Sequence, residues 1–225
     1  MPKSKTTQQS DPALASQLEQ MREELDRQRA QTAATADVLK AIEESSSDIQ
    51  PVFDMIAKRA TELCKARFCM VWRYDGALQH YCASYGFTPE FMADYVSQYP
   101  RALIENSMTT NVIRSKSVVR LEDALHKDYS DHETARKFGF RQMAGVPIFD
   151  EGAVWGAIIL AWPETEMPDE SHIGLVQTFA AQASIAIRNA RLFNETLESL
   201  EQQTATAEVL KAISRSAFDL PSVLQ

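Results

Sequence analysis

Between Arg141 and Trp162 the chain reads RQMAGVPIFDEGAVWGAIILAW, two runs rich in Val, Ile, Ala and Trp separated by Glu151-Gly152. This pattern predicts a β-hairpin with its turn at that pair. Side chains alternate between faces along a strand. Val154, Gly156, Ile158, Leu160 and Trp162 therefore share one face of the second strand, and Ala153, Trp155, Ala157, Ile159 and Ala161 the other. Both faces are apolar, which predicts a position in mid-sheet with material packed on each side. Gly145 and Gly156 leave room for a backbone or a ligand, and Pro147 predicts an edge-like break or a bulge in the first strand.

A second hairpin is predicted for FCMVWRY-DG-ALQHYCAS, with Asp75-Gly76 at its turn. Phe68, Met70, Trp72 and Tyr74 fall on one face. On the next strand His80 and Cys82 share a face, with Tyr81 opposite. Helical segments are predicted from Pro51 to Lys65, with Phe53, Ile56, Ala60 and Leu63 inward, then within TPEFMADYVSQYP and from Ser107 to Arg114. SVVRL reads as a strand, and Asp131 to Phe138 as a helix ended by Gly139.

Two long stretches lack Gly and Pro. In the first, Ala13 to Gln50, apolar residues recur at Leu14, Leu18, Met21 and Leu25, and the seam continues through Gln28, Thr32, Thr35, Leu39 and Ile42. This heptad spacing predicts a coiled-coil-like helix over 13–50. In the second, Leu175 to Leu220, a near-heptad line runs through Phe179, Ala183, Ala186, Ala190, Phe193, Leu197 and Leu200. Its first half is apolar enough to pack on the sheet; its second half is polar and should leave the domain. The segment QTAATADVLKAIEESSSDIQPVFD from Gln31 recurs as QTATAEVLKAISRSAFDLPSVLQ, with Val38 aligned to Val209 at an offset of 209 − 38 = 171. The expected organisation is a disordered tail over 1–12, the entering helix over 13–50, a domain over 51–195, and a linker helix with the opening of a second, truncated repeat unit over 196–225.

The formal charge is 23 − 31 = −8, which argues against a nucleic-acid surface or an anionic membrane partner. No apolar run approaches a membrane span and no secretory leader is visible. Cys64, Cys69 and Cys82 show no metal or redox spacing, and read as reduced core thiols of a cytoplasmic protein. No phosphate loop or hydrolase motif occurs, so no catalytic residue and no metal site is assigned.

The central hairpin, followed by Asp169-Glu170 and LVQTFAAQASIAIRNARLFNE, resembles a GAF domain of bacterial sensor histidine kinases and related cyclases, over roughly Gln31 to Glu195. The resemblance implies an α+β fold: a central antiparallel sheet, helices on one face, loops and short helices on the other, and long helices entering and leaving. It also implies a small-molecule pocket between the sheet and the segment Asp123 to Phe140. The candidates to line it are His126, Tyr129, His132, Phe138, Phe140 and Met143, with Met70, Trp72, His80 and Tyr81 from the sheet.

Branches of the family can be tested residue by residue. Bilin-binding members carry a Cys about eleven residues before the Arg that opens the central strand; here Ser130 stands there, and Asp131 where phytochromes have His, so covalent bilin is not expected. Cyclic-nucleotide-binding members have Asp-Glu at the last helix. Asp169-Glu170 fit, but Thr165 replaces a Phe of that motif, and Asp169 is equally a helix cap. His126 and His132 are the candidates for a haem ligand. Free methionine sulfoxide reductases place their cysteines later than Cys64, Cys69 and Cys82.

The function expected from the resemblance is a cytoplasmic sensory module of a two-component or related signalling protein. Its cofactor is unknown. It would form a homodimer along the seam Leu14, Leu18, Met21, Leu25, Leu39, Ile42, Phe193, Leu197 and Leu200, and would adjoin further GAF or kinase modules. The alternatives are a ligand-free dimerisation module and a sulfoxide-reductase-like enzyme.

Overall fold

The computed structural model describes residues 12–45, 48–163 and 169–223. The expected tail, except for Pro12, and Thr165 lie outside the described residues. The chain opens with α1 (Pro12–Glu44) and α2 (Gln50–Leu63), then the hairpin β1 (Phe68–Tyr74) and β2 (Leu78–Tyr85). Next come α3 (Pro89–Val96), β3 (Arg101–Ala102), α4 (Met108–Ser115), β4 (Val119–Leu121) and α5 (His132–Phe138). The central hairpin β5 (Gln142–Asp150) and β6 (Ala153–Trp162) leads into α6 (Glu170–Val223). The strands form one sheet in the order β3-β2-β1-β6-β5-β4, and every neighbouring pair is antiparallel.

Turn chemistry sets the hairpins. Glu151 and Gly152 both adopt positive φ, 49° and 82°, as a two-residue turn of this hand requires. In the first hairpin the Asp75 carboxylate accepts from the backbone N–H of Ala77 and Leu78 at 3.0 and 2.7 Å, closing a local Asx turn. Those bonds, with a contact from His80, hold the Asp75 carboxyl well below its ordinary range. Gly139 ends α5 in the left-handed region, at φ 64°.

The central hairpin lies in mid-sheet, as its two apolar faces require. One face is covered by α1, α2 and α6, around Phe53, Ile56, Val71, Ile158, Leu160 and Phe179. The other is covered by α3, α4 and α5, around Phe68, Trp72, Met108, Tyr129, Phe140 and Ile159. Gly156 lets the backbone of β1 close in, because a Cβ there would overlap the Trp72 carbonyl. Gly145 does the same for Val112 and Met108 of α4. The two glycines thus serve packing, not a ligand. A register shift between Ile148 and Phe149 breaks the alternation of β6. Trp155 thereby joins the helix-covered face, its ring centroid 5.3 Å from that of Phe53, contrary to strict alternation. β4 begins at Val119, opposite Gly145, so Pro147 falls where β5 is itself an edge strand and its missing N–H costs no ladder bond.

α1 and α6 run parallel. Arg27 reaches Ser171 at 3.3 Å, and further along Gln182 reaches the Thr35 carbonyl at 3.5 Å. Ala34, Val38 and Ile42 of α1 are buried in the helix-covered core. The seam expected on α1 therefore needs correction at Ile42: it is 7% exposed and packs within its own domain. At 3.6 residues per turn the apolar line drifts, so the second half of α1 turns a different stripe inward from the one its first half leaves outside. Leu14, Leu18, Met21, Leu25 and Leu39 remain exposed, as do Phe193, Leu197 and Leu200 beyond the sheet. Ile185 and Leu192 are also exposed, two positions the heptad reading missed.

Candidate functional site

The face under α3, α4 and α5 encloses a cavity of about 50 Å³. Its floor is the sheet. Met70 and Trp72 alternate on β1 with Cys69 and Val71, which face the helices. Its walls come from short segments whose ends are fixed by side-chain caps. Thr88 caps α3 at Phe91 N (3.4 Å), and Ser107 caps α4 at Thr110 N (3.3 Å). Thr110, fully buried, donates to the Ile104 carbonyl at 2.6 Å and accepts from the Ser107 hydroxyl at 2.9 Å. α4 is thereby held against the sheet with its buried hydroxyls satisfied.

The lining is mostly aromatic. The Trp72 and Tyr99 rings lie 4.5 Å apart, Tyr95 and Tyr99 5.5 Å, and Trp72 and Tyr95 6.3 Å. The Tyr99 hydroxyl donates to that of Tyr95 at 3.2 Å. Tyr129 closes the far side, its hydroxyl 3.2 Å from Met143 Sδ. Burial pushes the phenols of Tyr95, Tyr99 and Tyr129 up, so all three stay neutral. Polar groups are few. Gln79 donates to the Thr109 hydroxyl at 3.2 Å. Arg101, opposite Gln79 in the β2–β3 pair, lays its guanidinium 4.4 Å from the Tyr99 ring centroid. Asp131 completes the lining, its carboxyl raised by burial against the opposing pull of Arg101.

Of the ten residues expected to line a pocket, Met70, Trp72, Tyr129, Phe140 and Met143 do so. The others need correction. His80 alternates with Gln79 and Tyr81, lies on the other face of β2, and pairs with Asp75 at 2.6 Å. His126 is exposed beside Asp128, and the ring of His132 sits against its own turn at the Tyr129 carbonyl, 2.9 Å away. Tyr81 supports Trp72 edge-on from behind, at 5.9 Å. Phe138 lines the outer groove beside the cavity and packs at a tilt on Phe91, ring centroids 4.0 Å apart. The sequence reading missed Tyr95, Tyr99, Arg101, Met108, Thr109 and Asp131 as lining residues. The one available signal was the Tyr95, Tyr99 pair at helical spacing, two residues before Arg101.

Asp169 serves as the cap of α6, accepting from His172 N at 2.9 Å and Ser171 Oγ at 2.5 Å. Among the described residues no cluster of His, Cys, Asp and Glu is placed to hold a metal ion. Cys64 and Cys69 are buried in the helix-covered core, and Cys82 packs against it. Burial pushes the Cys64 thiol up to about 12 and the Cys82 thiol to about 11.

A six-stranded antiparallel sheet with long helices on one face and a short-helix pocket on the other is an α+β fold of a known kind. The family model of the GAF domain matches residues 48–187, and the chain belongs to that family. Solved structures agree on the fold. The GAF domain from a phosphoenolpyruvate-protein phosphotransferase of Coxiella burnetii superposes with a TM-score of 0.62 at 16% identity, over 74% of this chain and 98% of that one. The free methionine-R-sulfoxide reductase from Neisseria meningitidis, in complex with its substrate, gives 0.58 at 12% identity, over 72% and 90%. A domain described as that of a two-component sensor histidine kinase from Sinorhizobium meliloti 1021 gives 0.51 at 17%, over 65% and 94%. No curated protein matches the chain.

Proposed function

We propose that this chain is a cytoplasmic sensory module of a multidomain signalling protein, which binds a small molecule in the cavity and passes the signal through dimeric helices. The observation that carries the reading is the shared use of β1. Met70 and Trp72 line the cavity, while Cys69 and Val71, the alternate residues of the same strand, pack in the core that holds α1 and α6. A ligand that shifts Trp72 therefore shifts the seat of both long helices, since a close-packed interior transmits displacement.

The dimer would form on the parallel pair α1 and α6. Thr32, Thr35 and Leu39 of α1 flank a groove with Gly174 and Thr178 of α6. Ile185 and Leu192 continue the Thr178 line at steps of seven residues, 48% and 50% exposed. The expected outcome is a four-helix bundle of two copies, adjoining further GAF or kinase modules along the helices. No helix among the described residues is long and apolar enough to cross a membrane. Three unpaired thiols suit a reducing compartment.

A reductase-like activity is disfavoured on the same geometry: no cysteine lines the cavity, and a raised thiol pKa opposes thiolate chemistry. Light scattering tests the dimer. The full chain should associate at least about tenfold more tightly than residues 31–195 alone, because the outer seams account for several buried apolar side chains. Equal association would confine the interface to the parts of α1 and α6 within residues 31–195 and leave the outer seams without a role. The absence of any thermal stabilisation by small molecules would leave a structural dimerisation module in its place.

A further inference from the structure

Two opposite charges stand at one end of a chamber that is otherwise largely apolar. The inner cavity and an outer groove between α3 and α5 share four residues, Tyr95, Arg101, Asp131 and Thr134, which therefore form the mouth. Arg101 is held there by its stack on Tyr99 and by Gln98 at 3.5 Å, and its buried Nε has no hydrogen-bond partner. Asp131 is influenced by burial and by the Arg101 charge, and among the described residues no hydrogen bond reaches its carboxylate. The Arg101 Nε is thus buried without a partner and the half-buried Asp131 carboxyl is partly desolvated, an arrangement that costs stability unless a ligand completes it.

We propose that the cavity takes a free α-amino acid with an apolar side chain: Arg101 holds its carboxylate, Asp131 its ammonium, and the side chain enters the chamber between Trp72, Tyr99, Met108 and Met143. The assignment rests on reading the cavity as the module's ligand pocket. The charges decide the class. A ligand with one charge would satisfy one of the two half-buried mouth groups and leave the other without a partner. A zwitterion satisfies both. Its two charged groups sit on one carbon, so they call for two opposite charges at one mouth, which Arg101 and Asp131 both line. The planar guanidinium, with several N–H donors, matches a carboxylate. Neighbouring phenol rings suit an ammonium, whose charge is attracted to ring faces. The chamber itself offers methionine and aromatic surface to an apolar side chain.

The test uses the full chain, with L-methionine, L-leucine and L-phenylalanine as probes in calorimetric titration and thermal-shift assays. Phenylalanine is compared with 3-phenylpropionate, which lacks the ammonium, and phenethylamine, which lacks the carboxylate; the other two with their corresponding acids and amines. At least one amino acid should bind, and its acid and amine should bind at least about 30-fold more weakly, as the loss of one charged, hydrogen-bonded contact predicts. Arg101→Gln and Asp131→Asn should each weaken the amino acid by a similar factor while the unliganded protein still melts cooperatively. Asp131→Asn should also reverse the preference, so that the deaminated acid now binds better than the amino acid. A misshapen pocket could not produce that reversal. An acid or amine that binds the unaltered protein as well as the amino acid does would overturn the proposal, as would an Asp131→Asn protein with unchanged preference. A different metabolite that binds, and is lost in Ala161→Leu, would overturn the amino-acid assignment but leave the pocket standing. If no probe and no metabolite binds, both fall.

Discussion

The two faces of the sheet are built from different materials. The helix-covered face is closed mainly by aliphatic residues and alanines, with the rings of Phe53 and Phe179 among them. Val52, Ile56, Val71, Ile148, Ile158, Val176 and Phe179 are all 2% exposed or less, and Ala180, Ala183 and Ala186 let α6 lie close on the strands. The cavity face is closed by rings: Trp72, Tyr95 and Tyr99 meet at tilted and edge-on angles of 37° to 66°. Branched aliphatic side chains interdigitate and fill space, whereas rings at such angles enclose gaps. The same strand feeds both solutions by its two-residue alternation. One face therefore supplies most of the stability, and the other keeps room for chemistry at a cost in packing.

Four substitutions probe this division. Phe179→Ala, on the closed face, should lower unfolding stability by about 4 kcal/mol in urea titrations, since a fully buried ring leaves a cavity the core cannot refill. If Tyr99→Ala on the open face costs as much, the faces do not differ as described. Next in size, Gly156→Ala should cost about 2–3 kcal/mol, because its Cβ would drive β6 away from the Trp72 backbone. Gly174→Ala, with open space around it in α6, should instead add up to about 1 kcal/mol. Equal effects at the two glycines would show that β1 and β6 are free to separate.

The smallest effect is one of sign. Burial raises the Asp131 carboxyl, so the folded state binds that proton more readily than the unfolded state. The group's contribution is full below its unfolded pKa, about 3.9, and is lost as pH rises through the folded value. Asp131→Asn should therefore be more stable than the wild type at neutral pH, and the gap should close as pH falls toward the unfolded pKa. A gap that widens on acidification would mean that Asp131 is paired with Arg101 rather than desolvated.

Much of this architecture was legible beforehand. Turn pairs such as Glu151-Gly152 and the stop at Gly139 depend on local backbone preferences, which a sequence carries directly. The site was less legible. Arg101 lies in a strand of two residues, too short for any periodicity, and reaches the cavity only because β3 pairs with the outer edge of β2. His80 shows the converse: strand alternation already set it opposite Tyr81, and its chemical versatility was a poor guide to position. Ile42 was placed on the outer seam because an ideal heptad was extended past the point where α1 meets its own domain. Identical words also meet different surroundings: Val38 is fully buried, while its repeat partner Val209 is 57% exposed.

The parallel course of α1 and α6 has a metric consequence. Thr35 stands level with Gln182, and its counterpart in the repeat is Thr206, 206 − 182 = 24 residues further along the same unbroken α6. At about 1.5 Å per residue this is an axial step of about 36 Å, close to the width of one small domain. Units that obeyed this repeat would queue along a common axis, each just clearing the one before. A string of them would behave as a ruler graduated in sensors, with the distance between adjacent pockets set by helix length alone.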